Sequence, residues 1–317
     1  MGRHNSFCYM IPKFIKRPTK CVYMIYTRLV CKMAPYLLGP GLAKGEYKRI
    51  TGKRLNLNHP KNLIEKIIWM QFHTDTSLWT ECADKYAVRE YVKKCGLESL
   101  LPNLYGVWDK PEDINWDELP DKFVLKTNNS CGQIIIVRDK TKLDIKSASQ
   151  KLKKWLRSKY GFQNAQLHYL RIKPKIIAEE LLEDPSLPAN ANLVDYKIHC
   201  FNGEPETCLV VSGRNGSNYY VSYLDLNWNN ISDYALNPKS PHYGNNPYTK
   251  PKDFDKMLEY AKILSKDIPQ VRVDFYDIDG KIYFGEMTFT TGYGYRSQEF
   301  SEYLGSKIDL SRIPKIR

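Results

Sequence analysis

The stretch VRVDFYDIDGKIYFGEMTF, residues 271–289, has the alternating pattern of two strands joined at an Asp-Gly turn. Successive side chains of a strand point to opposite faces, so Arg272 and Asp274 share one face of the first strand. By the same alternation, Glu286 and Thr288 share one face of the second strand. The sequence therefore predicts a hairpin that carries two pairs of polar side chains.

The length of the turn decides whether the two carboxylates meet. A three-residue loop at 279–281 puts Asp274 directly opposite Glu286, whereas a two-residue Asp-Gly turn puts them on opposite faces. Directly opposed carboxylates repel and need a compensating cation. Magnesium is the natural candidate, because it is held by one or two carboxylates together with substrate phosphates. The alternative is an edge hairpin whose charges are solvated.

The same hairpin contains Asp277-Ile278-Asp279, which matches the DxD pattern of metal-dependent glycosyltransferases. This pattern is short, and the following Gly280 places both aspartates where the chain must turn. Turn formation explains them without a metal, so glycosyl transfer is the secondary interpretation.

A second candidate site is KTNNSCGQIII, residues 126–136, where a lysine ends one apolar strand and small polar residues precede the next. Lys126 is a point charge suited to phosphate oxygens, and successive amides from Asn128 to Gly132 are suited to an anion-binding nest. An ordinary surface hairpin has the same pattern. The sequence contains neither a Walker loop nor the kinase signatures of the HRD and DFG type.

A third candidate is KIIAEELLED, residues 175–184, an apolar strand that runs into the acidic stretch Glu179 to Glu183. Apolar side chains with backbone amide edges between them are what a purine ring needs for binding. Acidic residues are also common at strand ends, so this signal is weak when taken alone.

Charge is concentrated at the N-terminus. Residues 1–54 carry twelve Lys or Arg against the single acid Glu46, whereas the remaining chain is close to neutral within a whole-chain net charge of +13. This distribution indicates a basic arm and argues against a nucleic-acid-binding domain. No apolar run approaches a membrane span and no signal peptide is evident. The arm is predicted to be helical, either on an anionic membrane surface or packed on the body.

The eight cysteines form no CxxC pair and no zinc-like cluster with histidine, which is typical of a reduced, cytoplasmic protein. Strands joined as hairpins and interspersed with helices predict an α+β fold rather than a series of βαβ units. The predicted helices cover residues 61–72, 83–96, 147–160 and 252–269, and further strands cover 195–205, 207–214 and 219–226.

The candidates occur in a characteristic order along the chain. Asp84-Lys85, Lys126 with its loop, Glu179 to Glu183, Arg272-x-Asp274 and Glu286-x-Thr288 together resemble the ATP-grasp superfamily. The runs DYKIHCFNG, LDLNW and YLGSKIDL, with the closing hairpin, more closely resemble its TupA-like branch. That branch is named from teichuronopeptide synthesis and is usually found among capsule and cell-surface polysaccharide genes.

The resemblance implies a role for each matching residue. Lys85, Lys126 and the lid loop Asn128, Asn129, Ser130 and Gly132 would bind ATP phosphates. Glu179 and the Leu182 backbone would bind adenine, with Glu183 or Asp195 near the ribose. The catalytic residues would be Lys197 and Arg272. The ligands of Mg²⁺ would be Asp274, Glu286 and Thr288. Two departures stand out, since most ATP-grasp enzymes carry asparagine where this chain has Thr288, and glycine is commoner in the lid than Ser130 and Cys131.

The implied architecture is an arm over residues 1–54 followed by an ATP-grasp domain over 55–317, with a lid subdomain at about 84–183 and a metal-binding subdomain at about 184–317. The two subdomains would clamp ATP between mostly antiparallel sheets.

The implied activity is ATP- and Mg²⁺-dependent ligation of a carboxylate to an amine through an acylphosphate. The expected substrates are an amino acid or amine and a uronic acid of a capsular or surface polysaccharide or its precursor. A cytoplasmic site, at the inner face of the membrane if the arm binds lipid, follows from the same resemblance. The alternatives are a glycosyltransferase or sugar kinase of the same pathway and a non-catalytic ATP-binding protein at the membrane surface.

Overall fold

The computed structural model describes residues 35–163, 165–188, 191–215, 218–239, 249–292 and 296–316. Residues 1–34, which hold most of the basic arm, lie outside the described part of the chain, so the membrane and packing alternatives are not resolved there. The helices are α1 Pro35–Thr51, α2 Leu63–His73, α3 Ser77–Ala83, α4 Val88–Lys94, α5 Ile145–Leu156, α6 Tyr160–Gln163, α7 Ser232–Ala235, α8 Phe254–Leu264 and α9 Gln298–Ser306. Short 3₁₀ turns lie at Glu98–Leu100, Pro111–Asp113, Lys140–Lys142, Leu167–Arg171 and Leu310–Arg312.

The N-terminal helices pack on the body of the protein. Leu42, Ala43 and Tyr47 of α1 are buried in the same core as the apolar residues of α2. Asn62 and Glu65 form a capping box that fixes the start of α2, in agreement with the helix predicted at 61–72. Within the described residues, no helix combines the length and apolarity needed to cross a bilayer.

The helix predicted over residues 83–96 is wrong at its beginning. The chain leaves helical geometry at Asp84 (φ −73°, ψ 113°), and α4 starts only at Val88. The reason is local: the Asp84 carboxylate accepts the amide hydrogens of Tyr86 and Ala87, at 2.8 and 3.2 Å, and so competes with helix formation. The break places Lys85 in a turn between α3 and α4.

The smaller sheet has the antiparallel order β1-β4-β2-β3. Its strands are β1 Leu104–Trp108, β2 Phe123–Thr127, β3 Ile134–Val137 and β4 Ile176–Glu179. One face covers a compact core that includes Phe123, Leu125 and Leu152 of α5. The two strands predicted around residues 126–136 are confirmed as the β2–β3 hairpin, and the strand that leads to Glu179 is confirmed as β4.

The larger sheet has the antiparallel order β7-β6-β5-β8-β9. Its strands are β5 Asp195–Phe201, β6 Glu204–Asn215, β7 Asn218–Leu224, β8 Gln270–Ile278 and β9 Lys281–Thr288. The helix predicted at 252–269 is confirmed as the shorter α8, and that at 147–160 as α5, which is capped by Asp144. Two antiparallel sheets with flanking helices confirm the predicted α+β fold.

The closing hairpin has the shorter of the two turns that the sequence left open. Ile278 pairs with Lys281, so the turn has the two residues Asp279 (φ +50°) and Gly280 (φ +79°). Two consecutive residues with positive φ are typical of a type I′ turn. From this turn alone, Asp274 would lie opposite Gly285.

A β-bulge restores the alignment of the two carboxylates. The register shifts by one residue after Phe275, which pairs with Phe284, so that Asp274 pairs with Glu286. The extra residue is Gly285, and a Cβ built there would lie 3.0 Å from the carbonyl oxygen of Asp274. The two carboxylates therefore face each other as expected, but by a bulge and not by a three-residue loop.

Candidate functional site

A cavity of about 390 Å³ lies between the two sheets and is lined by side chains of both. On the side of the smaller sheet, Ile134 and Ile136 of β3 remain 44% and 41% exposed and face this cavity together with Val124. The register explains the grouping, because Ile136 pairs with Val124 and Ile134 with Lys126. Further apolar lining comes from Leu101, Leu182, Phe284 and Met287.

The larger sheet contributes a buried cluster of charges centred on Asp274, which is only 1% exposed. Arg272 donates from Nε and Nη2 to the two carboxylate oxygens of Asp274, both at 2.7 Å. Lys197 donates to the Oδ2 atom of Asp274 at 2.5 Å. Both oxygens of Asp274 thus face cations, and burial is tolerated because the charge is compensated.

Arg272 also connects the two strands of the hairpin. Its Nη2 group donates to Glu286 Oε1 at 3.1 Å and to the Thr288 hydroxyl at 3.0 Å, and that hydroxyl donates to the same Glu286 oxygen. Burial alone would raise the pKa of Glu286, but Arg272, Lys197 and Lys85 lower it to about 2. Glu286 is therefore ionised at neutral pH and keeps 37% of its side chain exposed.

Lys197 joins this cluster to Asp195 on the same strand. Its Nζ atom lies 3.2 Å from Asp195, which also accepts hydrogen bonds from Arg214. Burial lowers the pKa of Lys197, but Asp274 and Asp195 together raise it above the ordinary lysine value. Lys197 is thus a permanently charged group at the cavity wall.

The smaller sheet holds a second ion-pair cluster around Glu179. Lys126 donates to Glu179 Oε2 at 2.7 Å, and Arg89 donates to Oε1 at 3.1 Å. Glu179 is buried, whereas Lys126 keeps 28% of its side chain exposed. The lysine ammonium is therefore accessible to a ligand in the cavity.

The loop between β2 and β3 is anchored by a buried asparagine. The Asn128 side chain donates to Asp84 and to the Lys173 carbonyl, and it accepts the Lys175 amide at 2.7 Å. Asn129 and Ser130 are also buried. Of this loop, Gly132 lines the cavity and Cys131 is exposed.

Lys85 reaches the same loop. Its ammonium donates to the Ser130 carbonyl, and its backbone amide donates to the Asn128 carbonyl at 3.4 Å. Because Lys85 lines the cavity and has a carbonyl instead of a carboxylate as its partner, a phosphate oxygen could replace that partner at little electrostatic cost.

The residues of the acidic stretch after β4 lie in two different environments. Glu180 and Leu182 line the cavity, and the Glu180 amide donates to the Asn103 carbonyl at 2.9 Å. Glu183 instead lies outside the cavity lining, where it pairs with Lys122 at 2.7 Å and Arg138 at 2.6 Å. Lys122, which contributes most, and Arg138 lower the pKa of Glu183. Burial raises this pKa, but its effect is smaller.

The donor set fits a magnesium ion that is bound together with a phosphate ligand once Arg272 or Lys197 moves away from Asp274, because both oxygens of this carboxylate accept hydrogen bonds from these cations. In the described part of the chain, no three His, Cys, Asp or Glu side chains converge as a complete metal cage. Asp274 and Glu286 face each other across the hairpin, and magnesium accepts one or two carboxylates when phosphate oxygens and water complete its shell. Thr288 is engaged with Arg272 and Glu286.

Sequence reasoning missed several charged residues of the cavity, namely Arg89, Arg138 and Arg214. Two of them had a local signal. Arg89 follows Lys85 by four residues, and Arg138 continues the alternating face of Ile134 and Ile136. Arg214 meets Asp195 only through the pairing of β5 with β6, so the sequence alone gave no signal for it.

Comparison with protein families gives one match. The model of the TupA-like ATP-grasp family matches residues 65–309, which is most of the chain. No curated protein is a significant match to the sequence.

Solved structures of related architecture include three enzymes. The D-alanine–D-alanine ligase of Bacillus anthracis, complexed with ATP, has a TM-score of 0.45 and 16% identity over 74% of this chain and 67% of its own. The L-amino acid ligase of Bacillus licheniformis has a TM-score of 0.43 and 14% identity over 69% of this chain and 45% of its own. An ADP complex of N5-carboxyaminoimidazole ribonucleotide synthetase has a TM-score of 0.43 and 14% identity over 70% of this chain and 48% of its own.

Proposed function

The chain belongs to the TupA-like ATP-grasp family and is an ATP-grasp ligase, and we propose that it joins a carboxylate to an amine through an acylphosphate. The observation that carries the proposal is the hairpin cluster of Arg272, Asp274 and Glu286 beside a cavity that also holds Lys85 and Lys126. Transfer of a phosphoryl group needs concentrated positive charge around the phosphates and a carboxylate pair for magnesium.

We propose that ATP lies across the cavity with its adenine on the smaller sheet. Support comes from the exposed side chains of Ile134 and Ile136, which offer an apolar surface to a purine ring, and from the backbone of Glu180 to Leu182 beside them. The phosphates would then extend toward Lys85, Lys126 and Lys197. Asp195 would lie near the ribose, and the β2–β3 loop, through Asn128 to Gly132, would cover the phosphates.

In this proposal Asp274 and Glu286 hold magnesium, which supplies charge neutralisation for the phosphates when bound. The chain's own cations then have separate tasks. Arg272 contacts both carboxylates and Lys197 contacts Asp274, and the two cations would stabilise negative charge that develops on the transferred phosphoryl group. Thr288 orients Glu286 and would complete the ligand set if it moves from Arg272.

The proposed reaction has two steps. A substrate carboxylate oxygen attacks the γ-phosphorus of ATP, and the bond to the ADP oxygen breaks. The amine nitrogen then attacks the acyl carbon, so that an amide forms, inorganic phosphate leaves and the amine proton passes to solvent. Because an acylphosphate hydrolyses when water reaches it, the cavity must be covered during turnover.

For the substrates, we propose an amino acid or other amine and a uronic acid of a capsular or cell-surface polysaccharide or its precursor. Support comes from the family match, together with the runs DYKIHCFNG and YLGSKIDL that carry the resemblance to the teichuronopeptide branch. The reaction would take place in the cytoplasm, where ATP and activated sugars are available, and at the inner face of the membrane if the basic arm over residues 1–54 binds anionic lipid.

ADP release tests the proposal directly. The full-length protein is incubated with ATP and Mg²⁺ and with pools of uronic acids and amino acids, each alone and both together. A ligase releases ADP in a manner that requires both a carboxylate and an amine, and the amide is detected by mass spectrometry. ADP release with a sugar and no amine would identify a sugar kinase, and consumption of a nucleotide sugar without ATP turnover would identify a glycosyltransferase; either result would contradict the proposal.

A further inference from the structure

Arg296 lies outside the cavity lining, at the end of the loop that follows β9, and its backbone is held in place. Residue 296 forms a β-bridge with the buried Leu236, and the next amide, that of Ser297, donates to the carbonyl of Ala235 at 2.9 Å. The guanidinium donates to the Thr291 hydroxyl at 3.2 Å and approaches His199 Nε2 at 3.3 Å. The side chain is therefore positioned by contacts on both sides.

The charge of Arg296 has no acidic partner in the described structure. Its neighbours are a hydroxyl, the carbonyl of Gly292, an imidazole and the ring of Tyr223, and its Nε–H is buried without a hydrogen-bond partner there. The sequence places no aspartate or glutamate at any position outside the described ranges. Arg272, by contrast, is shared between Asp274 and Glu286.

The imidazole of His199, which Arg296 contacts, is neutral. Burial lowers the pKa of His199 well below its ordinary value, and Arg296, Arg272 and Lys197 lower it further, so the ring is neutral. A neutral ring accepts the Arg296 hydrogen bond at Nε2, which leaves the proton on Nδ1. A guanidinium that is partly buried beside a neutral acceptor favours an external anion.

Arg296 lies close to Arg272, which belongs to the charge cluster of the larger sheet. His199 pairs with Arg272 across β5 and β8, so a single side chain separates Arg296 from Arg272. Arg272 in turn contacts Glu286 and Thr288. An anion on Arg296 would thus lie next to the Arg272 end of the charge cluster.

We propose that Arg296, supported by Thr291 and His199, binds the carboxylate substrate. The proposal rests on the ligase function and deepens it, since it assigns the anionic substrate to a subsite separate from the three lysines toward which the ATP phosphates would extend. A guanidinium recognises a carboxylate through parallel N–H donors, and such charge-assisted pairs are stronger than neutral hydrogen bonds. This subsite would recognise the carboxylate group of the substrate, whereas other contacts would recognise its carbon skeleton.

Calorimetric titration tests this subsite without turnover. D-glucuronate, D-galacturonate and L-glutamate are titrated into protein that holds Mg²⁺ and a non-hydrolysable ATP analogue. Wild-type protein is expected to bind at least one of them, and Arg296→Ala is expected to weaken that binding by about tenfold to a hundredfold. Arg296→Lys, which keeps the charge but loses the planar fork, should fall between the two.

The control is Arg312→Ala, which removes an arginine that is 86% exposed and paired with Asp309 on the surface. This variant should bind carboxylate and nucleotide like the wild type. Thermal unfolding of each variant identifies any that has lost its fold, and Arg296→Lys then replaces Arg296→Ala as the decisive comparison. The affinity for the ATP analogue should stay within about twofold in all variants.

Three results would overturn the subsite: no carboxylate of the panel binds to wild type, binding is unchanged in both Arg296 variants, or the ATP analogue is lost instead of the carboxylate.

The ligase proposal can fail independently of the subsite. If carboxylate binding depends on Arg296 but ADP release never requires an amine, the subsite stands and the ligase reaction does not. If ADP release requires both substrates but is insensitive to Arg296, the ligase stands and the subsite does not.

Discussion

The two sheets face the same cavity but present opposite chemistry to it. The smaller sheet offers exposed apolar side chains, such as Ile134 and Ile136, and one ion-pair cluster at Glu179. The larger sheet offers a buried row of charges in which Asp274 is shared between Arg272 and Lys197. One surface suits a flat ring, and the other suits phosphates and a metal.

The difference between the two sheets also affects how substitutions should change the free energy of unfolding. Exposed apolar residues of a binding surface contribute little to folding, because water reaches them in the folded protein. Buried ion pairs are different, since removing one partner leaves the other charge buried and uncompensated. We therefore expect substitutions of the exposed cavity-facing residues of the smaller sheet to affect ligand binding alone, and those at the centre of the larger sheet to affect both binding and folding.

The largest effect is expected for Asp274→Asn. The change leaves Arg272 and Lys197 without their shared carboxylate, so the free energy of unfolding should fall by about 3 to 5 kcal/mol. ADP release should fall by about a thousandfold or more, because the proposed magnesium ligand is lost as well. Urea denaturation and the ADP assay measure the two effects; unchanged stability would mean that the cluster is not coupled to folding.

Glu286→Gln should separate activity from stability. Its side chain is 37% exposed and shares Arg272 with Asp274, so the unfolding free energy should change by less than about 1 kcal/mol. ADP release should still fall by about a hundredfold or more if the carboxylate binds magnesium. Titration with Mn²⁺ in the presence of ATP, followed by electron paramagnetic resonance, reports metal affinity independently of turnover, and undiminished affinity would argue against this ligand.

Lys126→Ala tests the charge of the smaller sheet. The KM for ATP should rise by about tenfold to a hundredfold, because the proposed charge-assisted contact to phosphate is removed. Stability should change little, since Arg89 still compensates Glu179. Lys122→Ala is the matched control, because Lys122 also pairs with a glutamate but lies outside the cavity lining. Equal KM values in both variants would contradict the assignment of Lys126.

The smallest effect is expected for Ile136→Ala. Loss of part of the apolar surface should weaken ATP binding by about threefold to tenfold, with almost no change in melting temperature. Ile145→Ala provides the control, because this isoleucine at the start of α5 is 43% exposed and lies away from the cavity. A similar loss of affinity in both variants, measured by calorimetry, would place adenine elsewhere.

Much of this arrangement could be predicted from local sequence. Alternation identified the faces of β8 and β9, and the capping residues Asn62 and Glu65 agree with the predicted start of α2. The polar residues of the closing hairpin and Lys126 were found because each lies on a short segment with a clear period. The order of these segments, rather than any one of them, indicated the family that the match to residues 65–309 confirms.

The rest depends on interactions that no single segment contains. The break at Asp84 arises from a side chain that competes for backbone amides, where propensity alone favours an uninterrupted helix. Arg214 meets Asp195, and Arg296 meets His199, only after distant strands have assembled. The sequence left the turn of the closing hairpin open between two and three residues, and the expectation that a two-residue turn separates Asp274 from Glu286 is wrong because a bulge outside the turn aligns them.

That bulge makes the hairpin tolerant of a change in length. In the present chain, a two-residue turn is followed on β9 by one surplus residue at Gly285, and Glu286 then lies opposite Asp274. Deleting Gly285 would remove the bulge and still leave Glu286 opposite Asp274, because the two-residue turn alone pairs Asp274 with the residue that follows Phe284. A side chain at position 285 is less easily accepted, since its Cβ would lie 3.0 Å from the carbonyl oxygen of Asp274. The meeting of the two carboxylates should therefore withstand the loss of this glycine better than its replacement.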